Sequence, residues 1–211
     1  NDPGTLYYGA QFLFRSRDKG ESWERLSPDL TTNDPAKLKQ NDSGGLTLDN
    51  STAENHTTIF AISESPKNPQ VVWVGTDDGN LQVTRDGGKT WTNVTKNLPG
   101  LPPWGSFRSI VASRYDAGTA YAVVDLHQVN NRDPFIFKTT DFGQTWTRIS
   151  DGLPKGHPLA YVLAVAENPN RRGMLFAGTG NGFFYSMNDG ASWTQFKEGL
   201  PAAPVSWIEV Q

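Results

Sequence analysis

Cysteine is absent from the 211 residues, which excludes a disulfide framework and any thiolate metal site. No run approaches the ~18 apolar residues of a membrane span. The opening NDPGTLYY has none of the charged and apolar regions of a signal peptide. Positive charge is scarce and scattered, with only Arg171 and Arg172 adjacent, and the net charge is −3. A nucleic-acid or anionic-membrane binder needs a basic face, so neither is expected. The three histidines (His56, His127 and His157) fall far apart without ligand spacing, so no metal and no cofactor is expected.

A motif is present instead. Residues 84–91 read TRDGGKTW, and 16–23 (SRDKGESW), 139–146 (TTDFGQTW) and 186–193 (SMNDGASW) repeat it. All fit Ser/Thr-x-Asp/Asn-x-Gly-x-Ser/Thr-Trp. The fixed positions are Ser16, Asp18, Gly20 and Trp23; Thr84, Asp86, Gly88 and Trp91; Thr139, Asp141, Gly143 and Trp146; and Ser186, Asn188 or Asp189, Gly190 and Trp193. The chemistry is that of a hairpin turn. The Asp accepts from backbone N–H groups downstream, the Gly supplies positive φ, and the Trp opens the returning strand with a ring to bury. Four copies of one aspartate make a poor active site, because catalysis needs its residues once.

Around each motif recur short runs rich in β-branched and aromatic residues. The second repeat has 58–63, 71–75, 81–84 and 91–94; the third 107–112, 119–124, 135–138 and 146–149; the fourth 161–166, 174–178, 183–185 and 193–196. The first has only 6–9, 12–15 and 23–26, and one more run, 204–210 (PVSWIEV), follows the fourth. Four antiparallel strands per repeat at a period of about 50 residues predict an all-β fold, a β-propeller of four-stranded blades. The expected blades are 5–26, 58–95, 107–150 and 161–197 in one domain, with 204–210 as a partial or completing strand. Residues 27–57 form a long inter-blade loop. This amounts to about four blades' worth of strands, expected to be an arc of a larger ring completed by further sequence or another copy. In a meander the motif turns share one face, and the two-to-three turns and blade links share the other, where function concentrates.

The four motifs resemble the Asp-box, or BNR, repeats of sialidases, xyloglucanases, sortilin-type propellers and the photosystem II assembly-factor propeller. Residues 71–95, 135–154 and 175–196 are similar to the large secreted bacterial proteins with sortilin-type propellers, many labelled only as glycosyl hydrolases. The resemblance implies structural Asp boxes remote from any active site, a secreted or periplasmic location and a piece of a longer chain. Sialidase residues are not matched. Phe107-Arg108-Ser109-Ile110 half resembles the arginine segment of those enzymes, and Arg108 reads as a blade-edge or channel residue.

On the opposite face, Asp77 and Asp78 sit in the turn GTDDGN, and Asp125, His127, Arg132 and Asp133 share the link DLHQVNNRDP. Trp104, in LPGLPPWGSF, is an aromatic held in a proline-rich link. These are the candidate ligand contacts, alongside a plainer reading as turn chemistry and solvated loop; no catalytic residue is assigned. The expected function is an extracytoplasmic binding or scaffolding module for a carbohydrate or a peptide. The alternative is a wall of a xyloglucanase-like hydrolase, which would need two carboxylates across a cleft. Sequons begin at Asn41, Asn50, Asn55 and Asn93 and carry no weight in a bacterial protein.

Overall fold

A computed structural model describes residues 2–39, 42 and 56–210; most of the 27–57 link and three of the sequons (Asn41, Asn50, Asn55) lie outside them. The described residues form four antiparallel sheets laid out along the chain. The first blade has three strands, β1 (Leu6–Gly9), β2 (Leu13–Ser16) and β3 (Glu24–Arg25). The second has β4 (Ile59–Glu64), β5 (Val72–Thr76), β6 (Leu81–Thr84) and β7 (Thr92–Asn93). The third has β8 (Ser106–Ala112), β9 (Ala120–Asp125), β10 (Phe135–Thr139) and β11 (Thr147–Arg148). The fourth has β12 (Val162–Glu167), β13 (Leu175–Thr179), β14 (Gly182–Ser186) and β15 (Thr194–Phe196). Each complete blade is an up-and-down meander whose first strand carries a register shift near its start.

The apolar core lies between blades rather than within them. One cluster joins Leu13 to Ile59, Val72 and Val74. A larger one joins Trp73 and Leu81 to Phe107, Ile110 and Trp146. A third joins Tyr121 and Ile136 to Val162, Leu175 and Trp193. Both faces of an inner sheet are therefore buried, and central strands such as β5 and β9 read as unbroken apolar runs rather than alternating ones.

The Asp boxes close the last hairpin of each blade through one repeated network. In the second, Thr84 Oγ1 donates to Asp86 Oδ1 at 2.8 Å and accepts from Gly88 N at 2.9 Å. Thr90 donates its N–H and hydroxyl to the same carboxylate at 2.9 and 2.6 Å. These bonds, first among them the Ser22 and Thr90 hydroxyls, pull the carboxyls of Asp18 and Asp86 down to about 2. At Asp141 burial works upward, but the Thr145 hydroxyl and N–H outweigh it and the shift is downward. In the fourth box Asn188 takes the carboxylate's place, accepting from Ser192 N and donating to Ser192 Oγ, both at 2.9 Å. Asp189 instead receives Lys138 and the Tyr121 hydroxyl.

Two successive residues of each box are left-handed. Beside the glycines, Lys19, Phe142 and Asp189 hold φ near +60°, and Gly87 supplies the same conformation in the second box. Their N–H groups tie the box to the one-to-two turn of the same blade, as in Gly87 to Gln70 at 2.9 Å and Asp189 to Gly173 at 2.7 Å. The box turns and one-to-two turns thus share a face, and the two-to-three turns stand on the other.

Candidate functional site

The loop face is organised by the turn after β5. Asp78 is fully buried; it accepts from Thr76 Oγ1 at 2.5 Å and from the N–H and hydroxyl of Thr32 at 2.7 and 2.6 Å. It anchors the link from the first blade and is not presented to a ligand. That link carries a short 3-10 turn, Pro35–Lys37, opened by Asp34, whose carboxylate accepts from Ala36 N at 2.9 Å. The turn delivers Lys37 to the Asp78 carbonyl, with its Nζ 4.6 Å from the centre of the Trp104 ring.

Asp77 faces the other way. Its Oδ1 accepts from Thr58 N at 2.7 Å and its Oδ2 lies 3.7 Å from His56 Nδ1. Burial, with the neighbouring Asp78 charge adding to it, outweighs the Thr58 bond and raises the Asp77 carboxyl to about 6. Trp104 is held at φ +68°, a conformation costly for a bulky residue, and the His56 ring lies tilted against it at 5.6 Å.

Asp125, 5% exposed at the end of β9, forms the second carboxylate of the cluster. It accepts from His127 N at 3.0 Å, its Oδ2 is 2.7 Å from His127 Nδ1, and Arg108 Nε stands 3.5 Å away. That geometry places the proton on Nδ1, which donates to the carboxylate. The His127 ring stacks on Tyr161 of the fourth blade at 4.8 Å. Arg108, on the innermost strand of its blade, also lies 4.9 Å from the centre of the Phe60 ring, beside the central cavity of the array.

A narrow cleft between the second and third blades thus collects Asp77, Trp104 and Asp125, with His56, Arg108 and Gln128. His127 belongs to it through Asp125. Arg132 does not; it is exposed and donates to the Pro158 carbonyl at 3.0 Å. Asp133 is tied to its own loop, its N–H donating to Asn131 Oδ1 at 3.0 Å. Lys37, His56 and Tyr161 join the cluster from separate links or strand ends. Only their place on the same face could have pointed to them.

Fold and turns together define an Asp-box β-propeller array, and residues 82–93 match the family model described as BNR/Asp-box repeat. A xyloglucanase of Hypocrea jecorina (strain QM6a) is 27% identical over 137 residues, covering 65% of this chain and 15% of the relative. An ancestral GH74 enzyme superposes with a TM-score of 0.65 at 17% identity, over 94% of this chain and 23% of its own. The GH74 xyloglucanase from Xanthomonas campestris gives 0.57 at 13% identity, over 94% and 29%. This chain therefore spans a small part of the length of each. Among the described residues no helix is long and apolar enough to cross a membrane.

Proposed function

We propose that the chain is a binding module of an extracytoplasmic propeller, secreted or periplasmic, and that its loop-face cleft takes the hydroxyls of a neutral glycan. The observation that carries this is the convergence of Asp77, Trp104, Arg108 and Asp125 from separate loops and strands onto one cleft. Carboxylates and a guanidinium supply acceptors and donors for hydroxyl groups, and the indole supplies an apolar edge. On the box face the carboxylates of Asp18, Asp86 and Asp141 are committed to their own turns. Likeness to a xyloglucanase directs the choice of probe. Calorimetric titration with xyloglucan oligosaccharides should show saturable binding, weakened at least about tenfold by Asp125→Ala, the loss of one charged hydrogen-bonding group. Binding that survives Asp125→Ala but fails in Asp86→Ala would refute this placement.

A second reading rests on one observation: the Asp77 carboxyl is raised to about 6 while Asp125 is paired with Arg108 and His127. A carboxyl raised toward neutrality in the same cleft as an ion-paired one is the equipment of glycoside hydrolysis. In that reading Asp77 is the proton donor in one wall of a larger active site. Reducing-end release from xyloglucan that vanishes in Asp77→Asn would favour it; binding without products favours the module.

A further inference from the structure

The cleft between the second and third blades has a volume of about 20 Å³, room for roughly one water molecule. No sugar ring fits between Asp77 and Asp125 in that state, so entry of a glycan needs a wall to move. The walls are unequally held. Asp77 is fixed by the Thr58 N–H at 2.7 Å. Asp125 is fixed by the His127 N–H at 3.0 Å and by Arg108 at 3.5 Å. Ser106 and Arg108 stand on β8 and Asp125 ends β9, so the pairing of those two strands holds their backbones.

Trp104 is held differently. It lies outside any strand, in a link stiffened by Pro102 and Pro103. Its φ of +68° belongs to the left-handed region, which a bulky residue occupies only while its surroundings hold it there. Gly105, next in the chain, can absorb a compensating rotation. Two ring contacts keep the indole in place: Lys37 Nζ stands 4.6 Å from its centre, and the His56 ring is tilted against it at 5.6 Å.

Lys37 belongs to the fixed side of this contact. It is 9% exposed and donates to the Asp78 carbonyl, and Asp78 is itself bound to Thr32 of the same link. A cation so far removed from water is drawn to an indole face more strongly than an exposed one. The ring is therefore the member of the pair that can leave.

We infer that Trp104 is the movable wall of the cleft and that Lys37 is the positioning residue that holds it shut, an inference that rests on the glycan reading given above. When the ring leaves Lys37 its φ relaxes, the cleft opens across Asp77 and Asp125, and the indole presents its face to the sugar. The glycan then draws on the open state.

Stopped-flow association with xyloglucan oligosaccharides tests this, together with fluorine NMR of the chain labelled with fluorotryptophan. The Trp104 line is the one lost in Trp104→Phe. The association rate should rise with oligosaccharide concentration to a plateau, the opening rate of the cleft. Lys37→Met should raise that plateau at least about threefold, the loss of one cation–π contact. Trp104→Gly, which takes the same φ without strain, should bind at a rate linear in concentration. In the ligand-free chain the Trp104 line should show exchange on the microsecond-to-millisecond scale, with the minor state more populated in Lys37→Met. A linear rate in the wild type, or a Trp104 line without exchange, would overturn the inference while binding stands. A Lys37→Met chain with the wild-type plateau and exchange would overturn the part given to Lys37. Oligosaccharide that never binds, with exchange still present at Trp104, would overturn the glycan reading and leave the movable wall.

Discussion

Among the four box tryptophans, identical motif positions have unequal environments. Trp146 and Trp193 are 6% and 8% exposed, whereas Trp23 is 46% exposed. Truncation of a buried Trp leaves a cavity as well as lost transfer energy, so Trp146→Ala or Trp193→Ala should cost about 3–5 kcal/mol in urea unfolding. Trp23→Ala should cost under about 1 kcal/mol. The box carboxylates make a second residue-scale prediction. Asp18 and Asp86 have folded values of about 2, depressed from 3.8. Their contribution is fully present above the unfolded value and is lost as pH falls through the folded one. Asp86→Asn, which copies the fourth box, should therefore lower stability near pH 7 and flatten its fall between pH 4 and 2. Asp77 has the opposite sign: its folded value of about 6 lies above 3.8, so it lowers stability as pH rises through that interval, and Asp77→Asn should remove the decline.

Hairpins and links decide which of these residues meet. The box hairpin is a local device: hydroxyl, carboxylate and two left-handed residues lie within eight positions, so its form is written in the motif. The glycine answers to the neighbouring blade as well. At Gly190, φ is +85° and an added Cβ would come within 2.7 Å of Ile149 Cδ1; at Gly100, φ is +66° and nothing lies within 4 Å. Gly190→Ala should therefore combine backbone strain with overpacking, about 2–4 kcal/mol, and Gly100→Ala only the strain, about 1 kcal/mol, by thermal or urea melts. The links behave differently. Residues 31–37 cross to the second blade because Asp78 captures Thr32, and nothing in the composition of that link announces it.

In the whole molecule, stability follows the junctions, since each blade buries its faces only against neighbours. The junction of the first and second blades has the smallest apolar cluster, and the blades around Trp73 and Trp146 share the largest. Native-state hydrogen exchange should show β1 and β2 opening at the lowest free energy, and β5, β9 and β10 exchanging only near global unfolding. Uniform protection across all four blades would contradict this.

The sequence by itself determined the blades. Strand runs, box turns and the incomplete first repeat depend on contacts within a few residues; the 204–210 run, expected as a partial or completing strand, forms none. It also marked Asp77, Trp104, Asp125 and His127 as candidates because they fall in links of the loop face. Tertiary structure alone decided which of them meet. Asp77 and Asp78 are adjacent, yet Asp78 is buried under Thr32 and Thr76 while Asp77 opens to the cleft, because the link from the first blade covers only one of the two side chains. Arg132 shares a link with Asp125 but turns to Pro158. His56, Lys37 and Tyr161 arrive from positions far away in the chain, and such long-range packing leaves no periodic trace in the order of residues.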